Sequence, residues 1–133
     1  MKGLIICPPW IELILNGEKT WEIRGANTRI RGRIALIKSG TGQVYGTVEM
    51  VDCLPLDLMS YQCHIAEHRV TEVQSLPYPK TFAWVLSRPV LFKQPVPYRH
   101  PQGAVIWVNE ALDDDAPQIS GVFVHDADAR PVQ

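Results

Sequence analysis

No apolar run in this sequence approaches the ~20 residues that a membrane-spanning helix needs. The opening stretch Met1–Cys7 stops at Pro8-Pro9, too short for a signal peptide. Cysteine is scarce: three residues, Cys7, Cys53 and Cys63, odd in number and scattered, read as reduced thiols of a cytoplasmic protein. A serine-centred nucleophile motif is missing, as is a phosphate-cradling loop, because Ser39-Gly40-Thr41-Gly42 lacks the lysine and helix of one. Internal repeats are also missing. Nor is there an excess of positive charge: 13 Lys+Arg face 14 Asp+Glu, for a net charge of −1. A protein gripping long duplex DNA normally carries a basic surplus, so any nucleic-acid site here must be local. With 133 residues, 46% hydrophobic and 20% charged, the chain is sized for one domain and excludes long disorder, save at the tail.

What charge there is lies unevenly. Lys19, Arg24, Arg29, Arg31, Arg33 and Lys38 crowd one segment against Glu22 alone. The far end holds Glu110, Asp113, Asp114, Asp115, Asp126 and Asp128. This divides the chain into a domain over 1–110 and an acidic tail over 111–133. The tail is expected to be partly disordered, or to add an edge strand at Val122-Phe123-Val124.

Hydrophobic spacing supplies the elements. Residues 2–7 read as a strand. Pro9 starts a helix over 9–16, on the spacing of Trp10, Leu13 and Ile14, and Gly17 ends it. The period then becomes two, with Trp21 and Ile23 on one face and Thr20, Glu22 and Arg24 on the other. Strands follow at 34–39 and 43–52, the second bent or bulged at Gly46. Residues 57–69 read as one helix and 70–80 as a loop. Phe82–Ser87 is a strand that Arg88-Pro89 interrupts, Val90–Phe92 resumes it, and Gly103–Val108 is the last strand. Strand and helix never alternate regularly, so parallel crossovers are not expected. The fold class is α+β, mainly β: a mostly antiparallel, partly open barrel with a short N-terminal helix and one mid-chain helix.

Gly17-Glu18-Lys19-Thr20-Trp21-Glu22-Ile23-Arg24 carries the chemistry. A turn lysine followed by Glu22 and Arg24 on one strand face puts three charges within mutual reach. Arg24 can fork onto a carboxylate or phosphate. Lys19, if desolvated, can become a base or nucleophile, and Glu22 can hold either cation or accept a proton. The bland alternative is a Glu–Arg ion pair beside a solvated lysine.

At this segment the chain resembles the ASCH domains (activating signal cointegrator homology), whose hallmark G-x-K-x-x-E-x-R reads here Gly17, Lys19, Glu22 and Arg24. Similar features recur in order: Pro9-Trp10, Arg31-Gly32-Arg33, Gly46–Glu49, Val51-Asp52-Cys53, Phe82-Ala83-Trp84, Arg88-Pro89-Val90, and Pro101-Gln102-Gly103 ahead of Trp107. The resemblance implies a PUA-like pseudobarrel with a cleft beside the motif for RNA or a modified nucleotide. It also implies chemistry in some branches, as amidohydrolases removing the acetyl group from acetylated cytidine or as nucleases. In the deacetylating members a lysine works with a threonine and a distant glutamate. Lys19 matches the lysine, Glu22 stands where the threonine would be, and Glu67 or Glu72 is a candidate for the glutamate.

The ligand-binding set expected is Trp10, Lys19, Glu22, Arg24, Arg31, Arg33, Lys38 and Ser39, with Lys19 and Glu22 catalytic if the chain is an enzyme. Trp10 sits where it can line the cleft. Trp21 and Trp107 read as core. His64 and His68 share helical spacing with Cys63 and Glu67, but a third ligand of fixed spacing is missing, so no metal is expected. No cofactor is expected either. RNA or modified-nucleotide binding leads, a small amidohydrolase follows, and a coactivator-type protein-interaction module is the third reading.

Overall fold

The computed structural model describes residues 1–114. Six strands form a single sheet in the order β2-β5-β4-β3-β1-β6. In chain order they are β1 (Gly3–Ile6), β2 (Trp21–Arg24), β3 (Gly32–Lys38), β4 (Gln43–Leu56), β5 (Thr81–Pro97) and β6 (Trp107–Val108). Three short helices join them: α1 (Trp10–Leu15), α2 (Leu58–Cys63) and α3 (Ile65–His68). Every described pairing is antiparallel except one. β1 runs parallel to β3, Leu4 opposite Leu36, which corrects the expectation of no parallel crossover. The crossover is long enough because α1 and β2 lie between the two strands.

The mainly β, mostly antiparallel character holds, but the sheet is not a closed barrel. Its curl is nonetheless pronounced. β2 and β1 have three strands between them in the sheet order. Even so, the Arg24 guanidinium on β2 donates to the Ile5 carbonyl on β1 over 3.1 Å. Curling comes from the two long central strands, whose pairing shifts register three times. One shift falls at Gly46, as its place within a strand suggests: a Cβ there would strike the Val90 carbonyl and come within 2.7 Å of Leu15 Cδ2. Another lies across from Arg88, where φ is +52°. Arg88-Pro89 therefore bulges β5 instead of interrupting it. The last expected strand shrinks to two residues, with Pro101–Gly103 in turns before it.

α1 caps the core with Ile11, Ile14 and Leu15; of the expected stripe Trp10, Leu13 and Ile14, Ile14 alone is fully buried. These pack on Leu4, Ile34, Leu36, Val48, Met50 and Trp84. Gly17 follows at φ +88°, as a helix-ending glycine should. The expected mid-chain helix is two pieces. Asp57 caps α2 by accepting from the Ser60 N–H, and the chain breaks at His64 (φ −118°, ψ 35°) before α3 begins. A second cluster, on the opposite sheet face, contains Ala35, Ile37, Val44 and Phe92, and Ala111 and Leu112 pack into it. Val122-Phe123-Val124 lies outside the described residues. Among those described, no helix is long and apolar enough to cross a membrane.

Candidate functional site

The seam between β2 and β1 holds a cleft of about 370 Å³. Lys19, Glu22 and Arg24 face it, with Ile5, Cys7 and Trp10 from the N-terminal segment. Tyr61, Val70, Pro77 and Tyr78 wall the other side. Period-two alternation puts Glu22 and Arg24 on one face of β2, and the turn after α1 delivers Lys19 beside them.

The three charges interlock. Glu22 Oε2 accepts from Arg24 Nε at 2.8 Å, while Glu22 Oε1 lies 3.8 Å from Lys19 Nζ. Lys19 Nζ donates to the His68 carbonyl at 2.5 Å and lies 4.6 Å from the centre of the Trp10 ring. Arg24 lies 5.4 Å over Trp84, and Trp84 stacks on Trp107 with centroids 5.7 Å apart. Lys19 is only 2% exposed and Glu22 6%. Burial lowers the Lys19 pKa from 10.5 to about 8; Glu22 opposes the shift and Arg24 adds to it. Desolvation therefore outweighs the neighbouring carboxylate, leaving an amine that is cationic at neutral pH yet close to titration.

The other expected residues lie elsewhere. Arg33, paired opposite Glu49, alternates with Ile34 and so shares the face of Ala35 and Ile37, away from α1. Its guanidinium donates to Thr47 Oγ1 (3.2 Å) and the Arg88 carbonyl (2.7 Å) and pairs with Glu49. Arg31 donates to the Thr28 and Ile30 carbonyls and lies 3.8 Å from Asp52. Lys38 is bound to Glu12 at 2.7 Å, a hydrogen bond that raises its pKa. The Ser39 N–H donates to the Ile6 carbonyl. None of these four lines the cleft. Trp10 does, in a half-buried position. Trp21 and Trp107 are half-buried against core clusters, Trp21 stacking on His64. Among the described residues no group of three or more His, Cys, Asp or Glu is placed to hold a metal.

Sequence reasoning missed Tyr61, Tyr78 and His68. Tyr61 falls within the expected helix over 57–69 and Tyr78 within the expected loop over 70–80, with no local signal that sets either apart. His68 carried the signal of a helical His pair but acts through its backbone carbonyl, which leaves no trace in side-chain spacing. Glu67 likewise reaches the motif by its carbonyl, which accepts from the Thr20 N–H at 2.9 Å. Glu72 is exposed.

The family model described as the ASCH domain matches residues 4–96, which include all the residues that line the motif cleft. The chain belongs to the ASCH domain family. That family is PUA-like and associated with RNA binding. Among solved structures, the chain is similar to ASCH from Zymomonas mobilis at 16% identity, covering 92% of this chain and 96% of that one, with a TM-score of 0.62. A Tyr-to-Phe mutant of the Zymomonas mobilis protein gives 16% identity, 81% and 88% coverage and a TM-score of 0.61. A Ser-to-Ala mutant gives 18%, 81%, 86% and 0.57. Likeness at this identity is a likeness of fold. No curated protein matches the sequence. In this ASCH domain, then, Lys19, Glu22 and Arg24 line the seam cleft together.

Proposed function

We propose that the seam cleft binds one nucleoside unit, of RNA or as a modified nucleoside. The base lies against Trp10 and Tyr78, and its polar edge meets Lys19 and Glu22. The observation that carries this reading is the convergence of Lys19, Glu22 and Arg24 on a cleft of about 370 Å³ with aromatic walls. That volume lies in the ~300–1,000 Å³ range of small-ligand pockets. A nucleobase suits it because its flat faces stack on aromatic rings while its edge offers both donors and acceptors. Lys19 donates and Glu22 accepts, so the pair meets both kinds of edge group. A single unit fits better than a long strand, because Arg31, Arg33 and Lys38 are each occupied by a carboxylate away from the cleft.

Tryptophan fluorescence titration with a short single-stranded RNA, with cytidine and with acetylated cytidine tests the reading. Binding by at least one ligand is expected. It should weaken roughly 5- to 100-fold in Trp10→Ala, the range of one lost base–aromatic stack. Binding that is absent for all three, or indifferent to Trp10→Ala and Lys19→Met, overturns it.

A second reading, hydrolysis of an acylated cytidine, is favoured by one observation: the Lys19 amine is buried in the cleft wall, and this burial lowers its pKa to about 8. The neutral fraction of the amine would take a proton from a water attacking the acetyl carbonyl. The amide C–N bond then breaks, the exocyclic amine takes the proton from Lys19, and acetic acid leaves and ionises to acetate. Chromatographic detection of cytidine from acetylated cytidine, lost in Lys19→Met, decides between binding alone and turnover.

A further inference from the structure

We propose that His68 is the positioning residue for Lys19: a buried, neutral imidazole that locks the end of α3, whose backbone clamps the lysine turn. The inference rests on Lys19 being the working group of the cleft, as proposed above.

Three successive residues at the end of α3 hold three successive residues of the motif turn. The Glu67 carbonyl accepts from the Thr20 N–H at 2.9 Å. The His68 carbonyl accepts from Lys19 Nζ at 2.5 Å. Arg69 Nε donates to the Glu18 carbonyl at 3.1 Å. A carbonyl can hold a buried ammonium only if its own peptide is held still. The His68 ring does this. It is 0% exposed and stacks on Tyr61 with centroids 4.6 Å apart. Nε2 lies 2.7 Å from the Tyr61 carbonyl, and Nδ1 lies 3.0 Å from the Val70 N–H.

Those partners dictate the protonation state. A carbonyl can only accept, so Nε2 carries the hydrogen. An N–H can only donate, so Nδ1 must be bare. A protonated ring would have to place its second N–H against the Val70 N–H. Burial lowers the His68 pKa in the same sense. The side chain thus ties α2, through Tyr61, to the segment after α3, through Val70. The main-chain oxygen between those ties is aimed at Lys19. His64 has no such role: its Nδ1 donates to the Ser60 carbonyl of the preceding helix α2, and its ring stacks on Trp21.

Two NMR measurements without ligand test this, so their failure is separate from any failure to bind nucleosides. Long-range ¹H–¹⁵N correlation of the wild-type imidazole should show the Nε2–H neutral tautomer near neutral pH. An Nδ1–H tautomer or a charged ring overturns the proposal, whether or not variants fold. The Lys19 ammonium protons should exchange with water at least tenfold faster in His68→Ala. His68→Gln, whose amide can still donate to Tyr61, should fall between His68→Ala and wild type. Leu56→Ala, which opens the buried cluster containing Tyr61 but removes none of the hydrogen bonds of this network, should leave the exchange within about twofold of wild type. Equal acceleration in Leu56→Ala and His68→Ala, or none in His68→Ala, reduces His68 to an ordinary core residue.

Discussion

Arg24 Nη2 on β2 lies 3.1 Å from the Ile5 carbonyl on β1, although three strands separate β2 from β1 in the sheet. One side chain thus spans the seam of a curled sheet and, through Nε, fixes the Glu22 carboxylate at 2.8 Å. The guanidinium is engaged in holding the site together, so it is a poor anchor for a phosphate. Arg24→Ala should cost about 2 kcal/mol by urea unfolding, because the buried Glu22 carboxylate loses the nearer of its two cationic partners. Nucleoside affinity should fall with it. The salt dependence of RNA binding should barely change, since the missing cation was neutralised within the protein. A markedly flatter salt dependence would show that Arg24 contacts phosphate after all.

Lys19 makes stability depend on alkaline pH. Its folded pKa of about 8 lies below the ordinary 10.5. Between those values the unfolded chain binds more protons at this group, so its contribution to stability rises with pH across the window. Lys19→Met has no such group. From about pH 7.5 to about pH 10, wild type should therefore gain on Lys19→Met by up to about 3 kcal/mol in urea unfolding. A constant difference would contradict a depressed lysine.

Gly46 is where the curl depends on a missing side chain. Gly46→Ala would push a methyl against the Val90 carbonyl and Leu15, linking β4 to both β5 and α1. The substitution should cost about 2 kcal/mol or more, by the usual penalty of overpacking. Thermal unfolding checks this; a melting temperature equal to wild type would mean that β5 gives way freely.

The described C-terminal end is part of the core. Leu112 is buried with Ala111 in the second cluster, and its carbonyl accepts from the N-terminal ammonium at 2.7 Å. Truncation after Glu110 should cost about 2 kcal/mol more than truncation after Asp114, from lost apolar burial at Ala111 and Leu112. Equal melting temperatures for the two truncations would show that this packing contributes nothing.

By itself, the sequence determined whatever depends on neighbours along the chain. Gly17 ends α1, the alternation of β2 puts Glu22 and Arg24 on one face, and Gly46 marks a distortion in β4. These are local rules of backbone geometry, so the motif and its family likeness were legible in the residues. Arg88-Pro89 shows the limit of such reading: locally a breaker, it becomes a bulge once β4 supplies a partner strand. Only the tertiary structure decided which charges share a site. Arg31, Arg33 and Lys38 are near the motif in sequence, yet salt bridges to Asp52, Glu49 and Glu12 hold them away from the cleft. His68, 49 residues from Lys19, is its hydrogen-bond partner. That contact is made by a backbone carbonyl, which every residue possesses. Residue type therefore cannot announce it, and only the packing of α3 against the motif turn brings it into place.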